Sequence, residues 1–487
     1  FATYLEALYT QHHEGNDAFR FEIYNDQMME QKEGREDYTR AIVDRHYGDP
    51  MNMFDATTHE KGAAVLDMLR YVVDGAQQDT QEASQKEALF RALKHYLVAH
   101  HAQAADTADL IAAIRESTGL ELGWFFREWV YMAGYPKYRV EADYDAANKL
   151  EKVAVAQTQH VDATTPIFHM PIEVAFYGAN GEQKEVQVRD NSQQQEFDVP
   201  LDFEPQWVDF DPDDFIDKTV QFEKPLDALI AEGEKDPSMM SRLWAVQHLG
   251  KEKGENAEGG VTALTHVLGT DEFYGVRAAA ATSLGSVGTD QAKAALLSAL
   301  QQSDSRVRTA VVEALASFSK DRVVYDALVN ALHNDSSYAV EAAAAQGIGK
   351  SGRAEAFEVL QAEATAKPEV HVMQATLAGL AATKDARAVA ILLAQAQPRM
   401  PERIRASALT GLAEMKDSVE REHAQELVEA VRAALDDSFL RVRLAGEKLV
   451  GVFNLTQFQS DLQTDAQSAP LILQREFAQK VLKQLHR

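Results

Sequence analysis

The spacing of apolar residues changes twice along the chain, and each change marks a different predicted structure. In the first region, apolar residues recur every three or four positions, as at Val65 and Leu69, which is typical of amphipathic helices. The second region alternates apolar and polar residues, as in Tyr138–Tyr144, which predicts short strands. Helical spacing then returns. These patterns predict a multidomain, mainly α-helical protein with one small β-domain. The predicted domains are 1–136, 137–224 and 225–487.

Capping residues define one helix of the first region clearly. Asp106 or Thr107 can cap the N-terminus of this helix, and Asp109 places a negative charge in its first turn. Gly119 stands where a left-handed residue usually ends a helix. A helix is therefore predicted between these two signals.

The chain opens inside a helical pattern. Phe1, Leu5, Leu8 and Tyr9 lie on one apolar stripe of a predicted first helix. Phe1 is not an initiator residue, and no capping residue precedes the stripe. We therefore expect the sequence to be a piece of a longer protein.

Two charged groups are predicted to be solvated. Asp67 and Arg70 stand three residues apart on one predicted helix, the spacing of a surface ion pair. The aspartate-rich run Asp209–Asp217 is read as a solvated loop, with calcium binding as the alternative because carboxylates are calcium ligands.

The middle region predicts a small β-sandwich. Six or seven short alternating segments fall within it, and the sequence Gly178–Gly181 contains the Asn-Gly pair that is typical of a β-hairpin.

The last region is repetitive. Similar segments begin at intervals of 31 to 38 residues, which predicts paired helices stacked as an α-solenoid. These units resemble HEAT repeats, of which we expect seven or eight. Four arginines recur at matching positions, and we expect them to form ion pairs within each repeat with the aspartates of the turns. They are Arg277, Arg308, Arg405 and Arg443.

Charge and composition limit the classes of partner. The formal net charge is −28, which argues against nucleic acid and anionic membranes because both would be repelled. An acidic surface is equally typical of proteins that remain soluble in a salty cytoplasm. There are no cysteines, so disulfides and thiolate metal sites are excluded. No apolar run is long enough to predict a membrane-spanning helix. The compartment stays undetermined.

The most specific pattern consists of five short motifs that occur in a fixed order. They are Tyr47–Pro50, Asn52–Asp55, His59–Ala63, Trp124–Val130 and Gly134–Pro136. Together they resemble the end of the catalytic domain of aminopeptidase N-like zinc metallopeptidases, which are gluzincins with a thermolysin-like catalytic domain. The resemblance implies peptide substrates and a tyrosine that stabilises the oxyanion of peptide hydrolysis. His59 occupies that tyrosine position and is the candidate catalytic residue.

The same resemblance implies that the zinc ligands lie upstream. Phe1–Glu6 resembles the residues that follow the family's third ligand, a glutamate. The two histidines of a His-Glu-x-x-His motif are absent, because neither His13 nor His59, each followed by a glutamate, has a second histidine at the required spacing. We therefore expect zinc in the full-length protein, no metal bound by this chain alone, and no hydrolysis by it.

Two functions remain open. In the first, the chain is the C-terminal part of a zinc aminopeptidase. In the second, it is a non-catalytic scaffold that kept the peptidase fold and binds a protein partner through its helical repeats. His59 in place of tyrosine is compatible with either, and the sequence does not determine substrate preference or oligomeric state.

Overall fold

The computed structural model confirms a mainly helical protein with one β-region. It describes residues 1–34, 39–76, 87–254, 256–366, 369–419 and 423–485. The chain divides into two compact units, Phe1–Ala245 and Val246–Arg487. Among the described residues, no helix is long and apolar enough to cross a membrane. The predicted domain boundaries at 136/137 and 224/225 remain predictions.

The first unit begins with helices that pack around a shared apolar core. They are α1 (Ala2–Glu14), α2 (Asn16–Gly34), α3 (Glu60–Ala76), α4 (Ala88–Ala99), α5 (Thr107–Thr118) and α6 (Gly123–Trp129). Helix α1 buries Tyr4 and Ala7. Three residues of the apolar stripe seen in the sequence face solvent, since Phe1, Leu5 and Tyr9 are 52%, 58% and 67% exposed, whereas Leu8 packs against the core.

Helix α5 has the ends that the sequence predicts. The carboxylate of Asp106 accepts the backbone N–H groups of Ala108 and Asp109, and the Asp109 side chain accepts the N–H of Asp106 in return. This reciprocal pair satisfies N–H groups that the first turn of a helix leaves without partners. Gly119 ends the helix in the left-handed conformation, with φ of 76°.

The predicted β-sandwich is present as two sheets. The strands are β1 (Lys137–Asp145), β2 (Leu150–Gln157), β3 (Met170–Gly178), β4 (Gln183–Asp190), β5 (Gln194–Pro200), β6 (Pro205–Phe210) and β7 (Thr219–Phe222). One sheet has the order β5-β2-β1-β7 and the other the order β4-β3-β6. Tyr138 of the first sheet meets Phe210 of the second edge to face, with ring centroids 5.3 Å apart. The predicted Asn-Gly hairpin joins β3 and β4.

Helix α3 packs on this sandwich through Tyr71. The ring of Tyr71 stacks on Phe215 with centroids 4.4 Å apart. Its hydroxyl donates to Glu173 Oε1 at 3.1 Å and accepts from Gln187 Nε2 at 3.2 Å. Burial, together with the neighbouring carboxylate of Glu185, raises the pKa of Glu173 to about 7. The folded protein therefore keeps a proton on Glu173 that an unfolded chain releases at lower pH.

We expect Glu173→Gln to stabilise the first unit at alkaline pH. The raised pKa means that the stability contributed by Glu173 is present at low pH and is lost as the pH rises from 4.5 through about 7. Glutamine keeps the acceptor for Tyr71 but cannot ionise. In urea titrations, the free energy of unfolding of the variant should exceed that of the wild type at pH 8. This difference should shrink towards pH 5.

Tryptophan fluorescence suits this measurement, because all four tryptophans lie in the first unit. The matched control is Glu141→Gln, which changes an exposed glutamate of β1 and should leave the pH dependence as it is. If Glu173→Gln and Glu141→Gln change the pH dependence of the free energy of unfolding equally, that pH dependence does not arise from Glu173.

The prediction of a solvated Asp67–Arg70 pair is wrong. Asp67 is 1% exposed and forms a two-point ion pair with Arg20 of α2, at 2.7 and 2.9 Å. Arg70 instead donates to Gln11 at 3.3 Å and lies 3.6 Å from Asp74. The reason is that Asp67 lies on the side of α3 that packs against α2, which the spacing within α3 does not reveal.

The aspartate run after β6 is also not a solvated loop. Asp211, Asp214 and Lys218 form a compact ion cluster, with Lys218 Nζ at 2.6 Å from Asp211 and 2.5 Å from Asp214. Asp217 is fully buried and accepts from Gln31 Nε2 at 3.0 Å. These side chains hold the loop against α2 and β7, so the run has a structural role.

After the sandwich, every regular element in the described part of the chain is a helix. Helices α7 (Leu226–Lys235) and α8 (Met239–Leu249) come first. The second unit then contains α9 (Asn256–Thr270), α10 (Tyr274–Val287), α11 (Asp290–Ser298), α12 (Ser305–Leu315), α13 (Arg322–Asn334), α14 (Tyr338–Lys350), α15 (Ala356–Ala366), α16 (Val370–Thr383), α17 (Ala388–Gln395), α18 (Glu402–Glu414), α19 (Ala424–Leu435), α20 (Leu440–Val452), α21 (Gln459–Ser468) and α22 (Ile472–Leu485). They pair in order, and the second helix of each pair packs on the second helix of the next. This is the predicted solenoid.

Small residues set the tightest of these helix contacts. Gly349 of α14 lies against Gly379 of α16 so closely that a Cβ added at Gly349 would overlap the Gly379 carbonyl group. The close approach buries both backbones and explains why glycine occupies both positions.

The repeated arginines connect neighbouring repeats. Each donates to a backbone carbonyl five or six residues earlier, in the turn before its own helix, and they are Arg277, Arg308, Arg405 and Arg443. Arg308 also pairs with Asp335 at 2.8 and 2.9 Å, and Arg405 pairs with Asp437 at 2.9 and 2.7 Å. Both aspartates belong to the turn of the following repeat. Ion pairs with turn aspartates are thus present for Arg308 and Arg405, but they join neighbouring repeats, so the expectation that they lie within one repeat is wrong.

Two intermediate repeats have no arginine at the matching position. Glu341 stands there in α14 and Met373 in α16. The residue after Met373, Gln374, makes a neutral contact instead, since its Nε2 donates to Ser407 Oγ of α18 at 3.2 Å.

Candidate functional site

The candidate residue His59 closes a tight turn at the start of α3. A short 3₁₀ turn (Pro50–Met53) precedes it, and Asp49 accepts the N–H of Met51 at its start. Asp55 then organises the next turn: its carboxylate accepts the N–H of Thr58 at 3.0 Å and its carbonyl accepts the N–H of His59 at 3.2 Å. These bonds satisfy N–H groups at the entry to α3 and fix the backbone at His59.

Arg40 holds this turn from outside. Its guanidinium donates to both carboxylate oxygens of Asp55, at 2.9 and 2.5 Å, and to Thr58 Oγ1 at 2.5 Å. It also donates to the carbonyl of Ala41 at 2.7 Å. Burial alone would raise the pKa of Asp55, but the hydrogen bonds from Arg40 and Thr58 hold that pKa below its ordinary value. Arg40 could not be identified from the sequence, since no motif links it to a turn fifteen residues later.

The ring of His59 is partly exposed and makes two contacts. Nδ1 lies 3.0 Å from the carbonyl oxygen of Asp55. The ring meets Phe54 edge to face, with centroids 4.5 Å apart. Among the residues that the structure describes, none is hydrogen-bonded to Nε2, which leaves this nitrogen available to a ligand.

Lys61, two residues after His59, anchors the first turn of α3. Its side chain is fully buried, and Nζ donates to the carbonyl of Gly134 at 2.7 Å. Nζ also lies 3.4 Å from Glu30 Oε1 of α2, which is 5% exposed. The lysine therefore connects α3, α2 and the segment after α6, and the His59–Ala63 motif is joined to the Gly134–Pro136 motif by a direct hydrogen bond.

The face beside the turn is acidic. Burial and the neighbouring carboxylates of Glu60, Glu22 and Glu6 raise the pKa of Asp26, on α2, to about 7. Glu33, near the end of α2, accepts the backbone N–H of Ala56 at 2.9 Å.

The histidine and carboxylate side chains of the described residues are not grouped as metal ligands. Within the described ranges, no group of three or more histidine, aspartate or glutamate side chains could hold one. The remaining histidines make ordinary contacts. His95 lies 2.9 Å from Glu116, and the rings of His12 and His13 meet edge to face at 5.0 Å.

Comparisons with known proteins agree with the sequence motifs. Residues 1–129 match the peptidase family M1 domain, and residues 226–316 and 325–413 match HEAT repeats. A stretch of 139 residues is 27% identical to aminopeptidase N of Haemophilus influenzae, covering 28% of this chain and 15% of that protein. The fold is similar to that of Legionella pneumophila aminopeptidase A, solved in complex with aspartic acid. The TM-score is 0.66 at 14% identity, over 99% of this chain and 62% of that one. The chain thus spans less than two thirds of either relative.

Proposed function

We propose, from the match of residues 1–129 to the peptidase family M1 domain and of the last region to HEAT repeats, that the chain is the C-terminal part of a zinc-dependent, aminopeptidase-like metallopeptidase. In this proposal, residues that precede Phe1 in a longer protein supply the zinc ligands. The substrate is a peptide, and the chain alone neither binds catalytic zinc nor hydrolyses peptides.

The observation that carries the proposal is the position of His59. By resemblance it occupies the family's tyrosine position, two residues before Lys61 of the Lys61-Gly62-Ala63 motif, in a turn that Arg40 and Asp55 hold in place. Its ring is partly exposed, so it can reach a bound substrate. A fixed hydrogen-bond donor directed at the oxyanion typically increases the rate of the reaction about 10²–10³-fold. The role of His59 in the complete enzyme is to donate a hydrogen bond to the peptide carbonyl oxygen as negative charge develops on it.

Helix α1 supports a missing catalytic half. Phe1, Leu5 and Tyr9 are all more than half exposed on one stripe of this helix. Large apolar side chains grouped on a surface usually mark a contact with another part of a protein. The upstream half of the catalytic domain is the partner that covers this stripe in the proposal.

The proposal is tested with the chain extended upstream to include its zinc-binding half. We expect this protein to hydrolyse fluorogenic aminoacyl substrates when zinc is supplied, and His59→Ala to lower kcat/KM by about a hundredfold. The loss arises because alanine cannot donate to the oxyanion.

Two controls make the result specific. His95→Ala removes an imidazole that contacts Glu116 on the surface and should leave kcat/KM unchanged. His59→Tyr restores the family's residue and should be active. Stoichiometric zinc and peptidase activity in the 487-residue chain itself would overturn the assignment of the zinc site to upstream residues.

A second candidate is a non-catalytic scaffold that binds a protein partner through its repeats. A specific observation favours it: the solenoid contains a mainly apolar cavity of about 400 Å³, lined by residues that include Val370, Met373, Ile391 and Ile404. A cavity of this size can accept apolar side chains of a partner. An extended protein that shows neither turnover nor tightly bound zinc would favour the scaffold.

A further inference from the structure

One of the two nitrogens of His59 is already engaged within the turn. Nδ1 lies 3.0 Å from the carbonyl oxygen of Asp55. A carbonyl oxygen can only accept a hydrogen bond, so Nδ1 must carry the hydrogen. A neutral imidazole has a single N–H. In the neutral ring, Nε2 is therefore an acceptor with no hydrogen to donate.

The turn keeps the ring in this orientation. The Asp55 carbonyl is fixed because it also accepts the backbone N–H of His59, while Arg40 binds the Asp55 carboxylate at two points. Phe54 packs edge to face against the imidazole. Rotating the ring to direct Nδ1 towards a substrate would break the bond to Asp55. Nε2 is thus the nitrogen that a substrate meets.

Several charged groups lie on the elements packed around this turn. They are Arg40, Asp55, Glu60 and Lys61 around the turn itself, and Asp26, Glu30 and Glu33 on α2. The two basic groups are each paired with a carboxylate, Arg40 with Asp55 and Lys61 with Glu30.

We propose that His59 stabilises the oxyanion only as the imidazolium, through its Nε2–H, so that its contribution to catalysis is lost as the pH rises. This inference rests on the proposed function, whose active site it refines. A tyrosine hydroxyl in the same position would behave differently, because phenol keeps its hydrogen up to a pH of about 10. A tyrosine would thus donate a hydrogen bond throughout the neutral pH range, whereas His59 donates from Nε2 only after it has taken up a proton from solution.

The first test determines which nitrogen of the His59 ring carries the hydrogen, and it requires neither zinc nor catalytic activity. The 487-residue chain is prepared with ¹⁵N-labelled histidine rings, and long-range ¹H–¹⁵N NMR spectra are recorded across a pH titration. His59 is identified among the 15 histidines as the signal that disappears in His59→Gln. We expect the neutral form to carry its hydrogen on Nδ1, whereas the Nε2–H form would overturn the inference.

Arg40→Gln provides the matched variant. Losing the two hydrogen bonds from Arg40 to the Asp55 carboxylate should loosen the turn. The neutral His59 ring should then become a mixture of the Nδ1–H and Nε2–H forms. His101→Gln, at an exposed position outside this turn, should leave the His59 signal unchanged. A pure Nδ1–H signal in the wild type and a mixed one in Arg40→Gln would support the geometry described here.

The second test uses the extended protein with zinc. Above the pH at which NMR shows half of His59 deprotonated, kcat/KM should fall about tenfold per pH unit, towards a floor about a hundredfold lower. His59→Tyr should lack this fall. The inference would be overturned if the wild type is active and its kcat/KM does not change across the pH range in which NMR shows His59 losing its proton. An extended protein without activity would refute the proposed function, while the NMR result would still decide the state of the ring.

Discussion

Lys61→Met is expected to lower the free energy of unfolding of the first unit by about 3–5 kcal/mol. Methionine removes the ammonium group that donates to the Gly134 carbonyl and faces Glu30, and Glu30 lies in the protein interior. Glu30 would then be a buried carboxylate without a cation. Asp217 would also be affected: burial and Glu30 raise its pKa to about 7, and Lys61 is among the groups that lower it.

The measurement is a urea titration followed by tryptophan fluorescence. Removing the acid as well, in Lys61→Met with Glu30→Gln, should recover part of the loss because no uncompensated charge remains. Lys149→Met is the matched control, since Lys149 is 61% exposed and pairs with an exposed Asp202. If Lys61→Met and Lys149→Met have similar effects, Lys61 does not anchor α3.

Arg20→Met should have an effect of similar size, about 3–5 kcal/mol, because it leaves Asp67 buried without its partner. Arg20 is 7% exposed and makes two hydrogen bonds to that carboxylate. Its guanidinium also lies over the rings of Phe19 and Phe215, 4.6 and 4.3 Å from their centroids. The variant therefore loses an ion pair and two ring contacts together.

Arg20→Lys separates these contributions. Lysine keeps the positive charge, but it cannot form the two parallel bonds or stack as a flat group. An intermediate loss of stability is expected, and the double variant Arg20→Met with Asp67→Leu should be more stable than Arg20→Met. Asp202→Asn, at an exposed position, should change little. If the double variant is as unstable as Arg20→Met, leaving the buried carboxylate of Asp67 unpaired does not lower the free energy of unfolding.

Features determined by neighbouring residues could be predicted from the sequence. The cap at Asp106 and the end at Gly119 depend on hydrogen bonds within a few residues, and both were predicted correctly. The alternation of Tyr138–Tyr144 likewise identified β1. Strand β7 lacked such a signal, because its four residues are held by parallel pairing with β1 rather than by their own pattern.

Features determined by distant residues could not be predicted. Asp67 looked solvated because its partner, Arg20, lies 47 positions away and on another helix. Asp217 looked solvated because Gln31, its partner, is 186 positions away. In both cases the helical or loop spacing is compatible with exposure, and only the packing of α2 shows that the carboxylate is buried.

The candidate site lies between these two cases. The motif around His59 could be found because a similar motif exists in a known family. The engagement of Nδ1 by Asp55 and the hold of Arg40 on the turn depend on three-dimensional geometry, and the chemical difference between histidine and tyrosine follows from that geometry.

The arginine pairs of the solenoid have a mechanical consequence. A two-point ion pair such as Arg308–Asp335 resists the separation of adjacent repeats along one edge more strongly than the neutral contact of Gln374 with Ser407. Bending stiffness should therefore vary along the array, and the joint between α16 and α18 should be more compliant than the joint between α12 and α14. Met373 and Ile404, on these helices, both line the apolar cavity. Flexing at this compliant joint would thus widen or narrow the cavity.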